Sequence, residues 1–283
     1  VEEVIQMPIA ATNSDSILNK YQAYLGHYKQ NETPLIKLNI ISQTFDSDEL
    51  SALQSEKMES VMLFAKANAI YLSSMTMSES STKQEDLIIA CDIIEKAIAK
   101  QNKCINGYMF YEKEELFNKL CKREEILKFF ELDEAIEIRE GAITTREKAQ
   151  HLRSFYPGDT TIVWHAHIKE AELLEKEAIE QMKHAINQCI FHKNEALLAN
   201  AAMENGFRKH EMLDSLMILQ EDLNRNREKL IGIWKESEQI QNDSIRLAEF
   251  KRANGIKSQI IEDQENAIAL FTKEKTPNKS EEP

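Results

Sequence analysis

The scarcity of helix-breaking residues constrains this chain more than any other feature. Its 283 residues include 5 prolines and 7 glycines, where average usage is about 5% proline and 7% glycine. Proline ends or kinks a helix and glycine supplies the conformations that tight turns need. A chain so poor in both is expected to be all-α, with long helices and few turns. The same scarcity removes the glycine-dependent site motifs. No G-x-x-x-x-G-K-[ST], G-x-G-x-x-G or G-x-S-x-G occurs, so phosphate-cradling loops and nucleophile elbows are excluded.

Charge excludes a second class. The formal net charge is −13, and nucleic-acid phosphates require clustered Lys and Arg. The densest basic stretch, Lys119–Lys122–Arg123–Lys128, is interrupted by Glu124 and Glu125, the pattern of a solvated helix face. No nucleic-acid partner is expected, and a basic protein partner is the natural complement of an acidic surface. No apolar run approaches the roughly 18 residues of a membrane span. Val1-Glu2-Glu3-Val4 carries no basic region leading into an apolar stretch, so no signal peptide is expected there. Cys91, Cys104, Cys121 and Cys189 form no C-x-x-C pair and read as reduced, buried thiols of a cytoplasmic protein.

Periodicity and break signals divide the chain into helices. Ser14/Asp15 caps a helix to about Tyr28, and Thr33-Pro34 starts a short second one. A helix from Asp46 to about Ser74 carries one apolar stripe, Leu50, Leu53, Met58, Val61, Met62, Ala65 and Ala69. The Ser/Thr-rich stretch 77–84 is a loop. Helices over 85–101 and 112–130 flank an expected turn at Asn106-Gly107, and further helices flank Gly141. Tyr156-Pro157-Gly158-Asp159 is the strongest break, giving an N-terminal helical region 1–156, C-terminal hairpins 157–273 and a polar tail 274–283. Beyond it lie helices over 161–189, 195–205, 209–224, 228–253 and 256–273, with Asn254-Gly255 as a stop. Residues 233, 240, 247, 254, 261 and 268 recur in a heptad, but the seam three residues on is polar at four of six positions, so the coiled-coil pattern fails.

Several helix pairs alternate small and large residues. Phe64, Ala67, Asn68 and Tyr71 are followed by Ala90, Ile94 and Ala97; Trp164, His167, Ile168 and Ala171 by Ala178, Met182 and Ala185; Leu198, Ala201, Ala202 and Asn205 by Ser215 and Leu219; and Leu230, Ile233, Trp234 and Ser237 open a fourth set. Over about residues 60–255 the chain resembles a degenerate tetratricopeptide-repeat array. That resemblance implies antiparallel helix pairs in a short curved array, with a concave groove that holds a protein partner. It also implies groove-facing residues: His165, Lys169 and Glu172 in the second set, Met203 in the third, and Lys235 and Glu238 in the fourth.

Enzyme signatures fail one by one. His210-Glu211 opens an H-E-x-x-H pattern, but Asp214 stands where the second imidazole belongs,. His165 and His167 point to different helix faces. None of the seven histidines follows a Glu by three residues, as a di-iron bundle requires. His184, Cys189 and His192 remain as the alternative, an imidazole-activated thiol in a helical enzyme. No cofactor and no metal are expected. The leading expectation is a non-catalytic interaction module that binds and regulates or inhibits another protein. Composition rich in Lys, Ile, Asn and Glu is similar to that of bacterial proteins from AT-rich genomes, so an alternative is a pathogen effector delivered to a host cytosol, or a regulator that restrains one. A third class is a rod that self-associates through Ile233–Ile268.

Overall fold

The computed structural model describes residues 14–42, 48–78, 80–121, 132–154, 162–205 and 210–273, with side chains for most of them. The described residues form seven helices and no strand: α1 (Ser14–Ser42), α2 (Asp48–Met75), α3 (Ser81–Cys121), α4 (Leu132–Ser154), α5 (Ile162–Asn205), α6 (His210–Glu238) and α7 (Asp243–Lys273). The all-α expectation and the pairing of neighbouring helices both hold. The chain packs as two units: Val1–Met109 with Thr160–Ile162, and Phe110–Asp159 with Val163–Pro283. The break read at Tyr156–Asp159 and the tail 274–283 lie outside the described residues.

In the first unit, Tyr21 stacks on Tyr71 and Tyr28 on Phe64, so α1 and α2 run antiparallel. Ser60 Oγ donates to the Ala97 carbonyl and the Cys104 thiol to the Leu53 carbonyl, which makes α2 and α3 antiparallel as well. Lys100 and Lys103 both hold Glu56. Burial works to raise the Glu56 pKa, but the hydrogen bonds from the two ammonium groups outweigh it and hold the carboxyl below its usual range,. Ser80 accepts the Lys83 N–H at 3.2 Å and caps α3,. Ala67, Ala90, Ile94 and Ala97 share one core with Phe64 and Tyr71 packed against it. The first small-and-large set therefore does meet as a helix pair.

Several expected breaks are absent: α4 runs through Gly141 and α6 through residues 225–227, and three more are absent for a visible reason. α1 continues through Pro34, where the burial of Leu35 outweighs the lost backbone bond. α3 continues through Asn106-Gly107 because that glycine serves close packing and not a turn. A Cβ there would meet Leu53 Cδ1 at 2.7 Å. α7 continues through Asn254-Gly255 because the Asn254 amide is spent across the helix interface. It donates to the Glu180 carbonyl at 2.8 Å and to Glu180 Oε2 at 2.9 Å. α5 likewise runs unbroken past residue 189, with Phe191, Asn194 and Leu198 buried. Ala171, Ala178, Met182 and Ala185 thus lie on one helix, not on two.

The second unit is organised around α5. Glu114 pairs with Arg139, and Tyr111 with Arg146, so the end of α3 lies antiparallel to α4. Gln188 meets Glu134 and Glu175 meets Arg153, placing α4 antiparallel to α5. Along α7 the partners Arg246, Asn254, Lys257 and Gln264 meet Glu177, Glu180, Gln188 and Phe191. Both series rise together, so α5 and α7 are parallel. The turn 239–242 lets α6 return between them, with Asn242 Oδ1 capping α7 through the Ile245 N–H.

Candidate functional site

α5 carries an unusual load of buried polar side chains. Glu175, Glu177, Glu180, His184, Gln188 and His192 are each 7% exposed or less; Glu177 to His192 recur at the three- and four-residue intervals of one helix sector, and Glu175 lies on the opposite side of the helix. Buried carboxylates need partners. Arg153 forks onto Glu175 at 2.6 and 2.9 Å. Arg246 holds Glu177 at 2.7 Å. Lys183 and Asn254 hold Glu180.

Further along, Gln188 bridges three helices. Its amide nitrogen donates to Glu134 Oε2 at 2.6 Å and to His192 Nε2 at 2.9 Å, and its oxygen accepts from Lys257 Nζ. Because His192 Nε2 accepts, its Nδ1 carries the proton and donates to Glu195 Oε2 at 2.9 Å,. Lys257 is buried over the Phe191 ring. Desolvation pushes its ammonium pKa down to about 8; Glu134 opposes this and Arg227 adds to it.

Toward the surface the polar sector opens into a recess of about 310 Å³ between α4, α5 and α6. α4 contributes Glu134, Glu137, Ile138 and Gly141; α5 contributes Gln181 and His184; α6 contributes Ile231, Trp234, Lys235 and Glu238. His184 stacks on Trp234 at 3.8 Å between centroids, and Trp234 stacks on Phe250 at 4.3 Å. The indole N–H donates to Glu238 Oε1 at 3.1 Å, which fixes that carboxylate at the mouth. Burial, and then the charge of Lys257, push the His184 pKa down to about 3, with Asn254 opposing. His184 is therefore a neutral wall. Gln181 Oε1 and His184 Nδ1 are buried atoms with no hydrogen-bond partner. Three carboxylates against one ammonium, with an acceptor to spare, favour a cationic guest.

Of the residues read from the sequence as groove-facing, Lys235 and Glu238 line this recess. His165 and Lys169 are exposed and Glu172 half-buried near the start of α5, at least roughly 18 Å along the helix from His184. The Met203 side chain lies outside the described ones. The alternative thiol–imidazole pair is not assembled. Both His192 nitrogens are engaged elsewhere, while Cys189 is hydrogen-bonded with Cys121 and raised to about 12 by burial. Among the described residues no group of three His, Cys, Asp or Glu is placed to hold a metal ion, and no helix is long and apolar enough to cross a membrane. Sequence reading missed Glu134 and Glu137 as neighbours of Trp234, Lys235 and Glu238, because α4 and α6 are far apart in the chain. The legible signal was on α5: Glu177, Glu180, His184 and Gln188 form a sector of their own beside the stripe of Ala178, Ala185 and Cys189. No family model, curated protein or solved structure matches this chain.

Proposed function

We propose that this chain is a non-catalytic interaction module that binds a basic segment of a partner protein and regulates that partner. The observation that carries the reading is the recess between α4, α5 and α6, with Glu134, Glu137 and Glu238 around a floor of Ile138, Ile231 and Trp234. Its size suits one long basic side chain. A guanidinium forks onto carboxylates, and its stem covers apolar floor residues as it enters. The net charge of −13 steers such a partner toward the surface. The state of the alternative catalytic groups supports binding over reaction, since the Cys189 thiol is held protonated and neither His192 nitrogen is open to it. The α2/α3 pair, where the small-and-large pattern does pack, supports the likeness to tetratricopeptide helix pairs, which present surfaces for protein partners.

The test is affinity capture from the source cell, run in parallel with the wild-type chain and a Glu137→Lys/Glu238→Lys variant. Both positions are exposed, so the fold is expected to survive. The reading predicts one stoichiometric basic protein held by the wild type and lost by the variant.

A further inference from the structure

Beyond Leu50 and Leu53, the apolar stripe read on α2 does not face the core. Leu50, Leu53, Ser60, Ala67 and Ser74 are the buried positions, whereas Met58, Val61, Met62, Leu72 and Met75 are 63%, 49%, 65%, 56% and 45% exposed. Ala65 and Ala69, between them, are exposed too. Met58, Met62, Ala65, Ala69 and Leu72 follow intervals of four, three, four and three, the spacing of a helix–helix seam. Thus α2 is apolar on two sides, and one has no cover among the described residues of its unit.

The outer seam reads nearly the same in both directions. About a midpoint at residue 67, Ala65 mirrors Ala69 and Met62 mirrors Leu72, while Met58 falls opposite Thr76, one residue beyond Met75. A two-fold interface must be self-complementary, each position meeting its mirror on the other copy. Small residues at the centre let two helix axes approach closely, and the larger side chains at the ends then interdigitate. Methionine suits such a contact because its unbranched chain adapts to what it meets. The area is sufficient for a weak pair: the two faces together remove on the order of 1,000 Å² from water, the lower bound for a specific interface.

We propose that α2 is a self-association surface, and that its occupant is α2 of a second copy of this chain, running antiparallel about a two-fold axis near residue 67. The contact is weak, because its area sits at the lower bound for a specific interface. It strengthens with added salt, because each chain carries −13 and the Lys66 side chains of the two copies approach each other beside the axis.

Sedimentation equilibrium of the full chain from micromolar to submillimolar concentration tests this. The expected result is a rise from 32.7 kDa toward twice that mass, shifted to lower concentration by salt. It is abolished by Ala69→Glu and retained by Ala69→Ser. Both variants must show the wild-type circular dichroism spectrum and melting temperature, which their exposed position favours; Met62→Glu provides a second disruption. A chain that stays at 32.7 kDa throughout overturns the second copy as occupant and leaves the face to a different helix. Dimers that survive both glutamates overturn α2 as the contact.

Discussion

Lys257 and His184 put titratable groups where water cannot follow, so each leaves a signature in the pH dependence of stability. The Lys257 ammonium is 3% exposed, and burial lowers its pKa from 10.5 to about 8. Between those values the unfolded chain holds a proton that the folded chain has released, so this group makes stability rise with pH. Urea melts at pH 7 and pH 10 should show the wild type gaining on Lys257→Met by on the order of 2–3 kcal/mol. Parallel profiles for the two proteins would contradict the buried charge. His184 acts at the other end of the scale. Its pKa falls from 6.5 to about 3 through burial and then the Lys257 charge. From pH 6.5 downward the unfolded chain takes up a proton that the folded chain refuses, so stability is present above that pH and is lost toward pH 3. His184→Phe keeps an aromatic ring against Trp234 and should lose less stability over the same acid window, measured by thermal melts. A variant with the wild-type acid slope would exclude His184 as its source.

At the scale of the element, two glycines inside helices predict opposite outcomes. Gly107 faces Leu53, and a Cβ there meets the Cδ1, Cδ2 and Cγ atoms at 2.7, 2.9 and 3.4 Å. Leu53 is itself buried and has little room to yield. Gly107→Ala should therefore destabilise by about 1–2 kcal/mol even after the helix-propensity gain. Gly255 has nothing within 4 Å of the added carbon, and Gly255→Ala should stabilise by about 0.5–1 kcal/mol. Chemical denaturation of both variants checks the pair; a destabilised Gly255→Ala would mean that α7 does not continue through that residue. These positions also mark where sequence reading met its limit. Helix content was legible from the missing prolines and glycines, and so were the start of α1 near Ser14 and the break after Met75, although α3 begins at Ser81 and not at residue 85. Asn106-Gly107 and Asn254-Gly255 carry the composition of turns, yet Gly107 admits Leu53 and Asn254 reaches Glu180. A local signal cannot register a partner 54 or 74 residues away. The α2 stripe failed in another way. Its spacing was correctly helical, but periodicity gives a face without saying which side of the molecule it occupies.

At the largest scale, the second unit is organised by a long helix whose buried polar sector is answered by α4 and α7 and opens, between α4 and α6, into an acidic recess. Lys235 and Glu238, read from the repeat-like pattern on α6, line that recess. Glu134 and Glu137 join them only through tertiary packing, by way of Gln188, which donates to Glu134, and of His184 stacked on Trp234. The most direct measurement is therefore comparative capture from the source cell, with quantitative mass spectrometry of what the wild type and Glu137→Lys/Glu238→Lys retain. The account predicts one basic protein, near one-to-one with the wild-type bait and depleted at least tenfold by the double reversal, about 1.4 kcal/mol of lost binding. Equal retention by the two baits would contradict it.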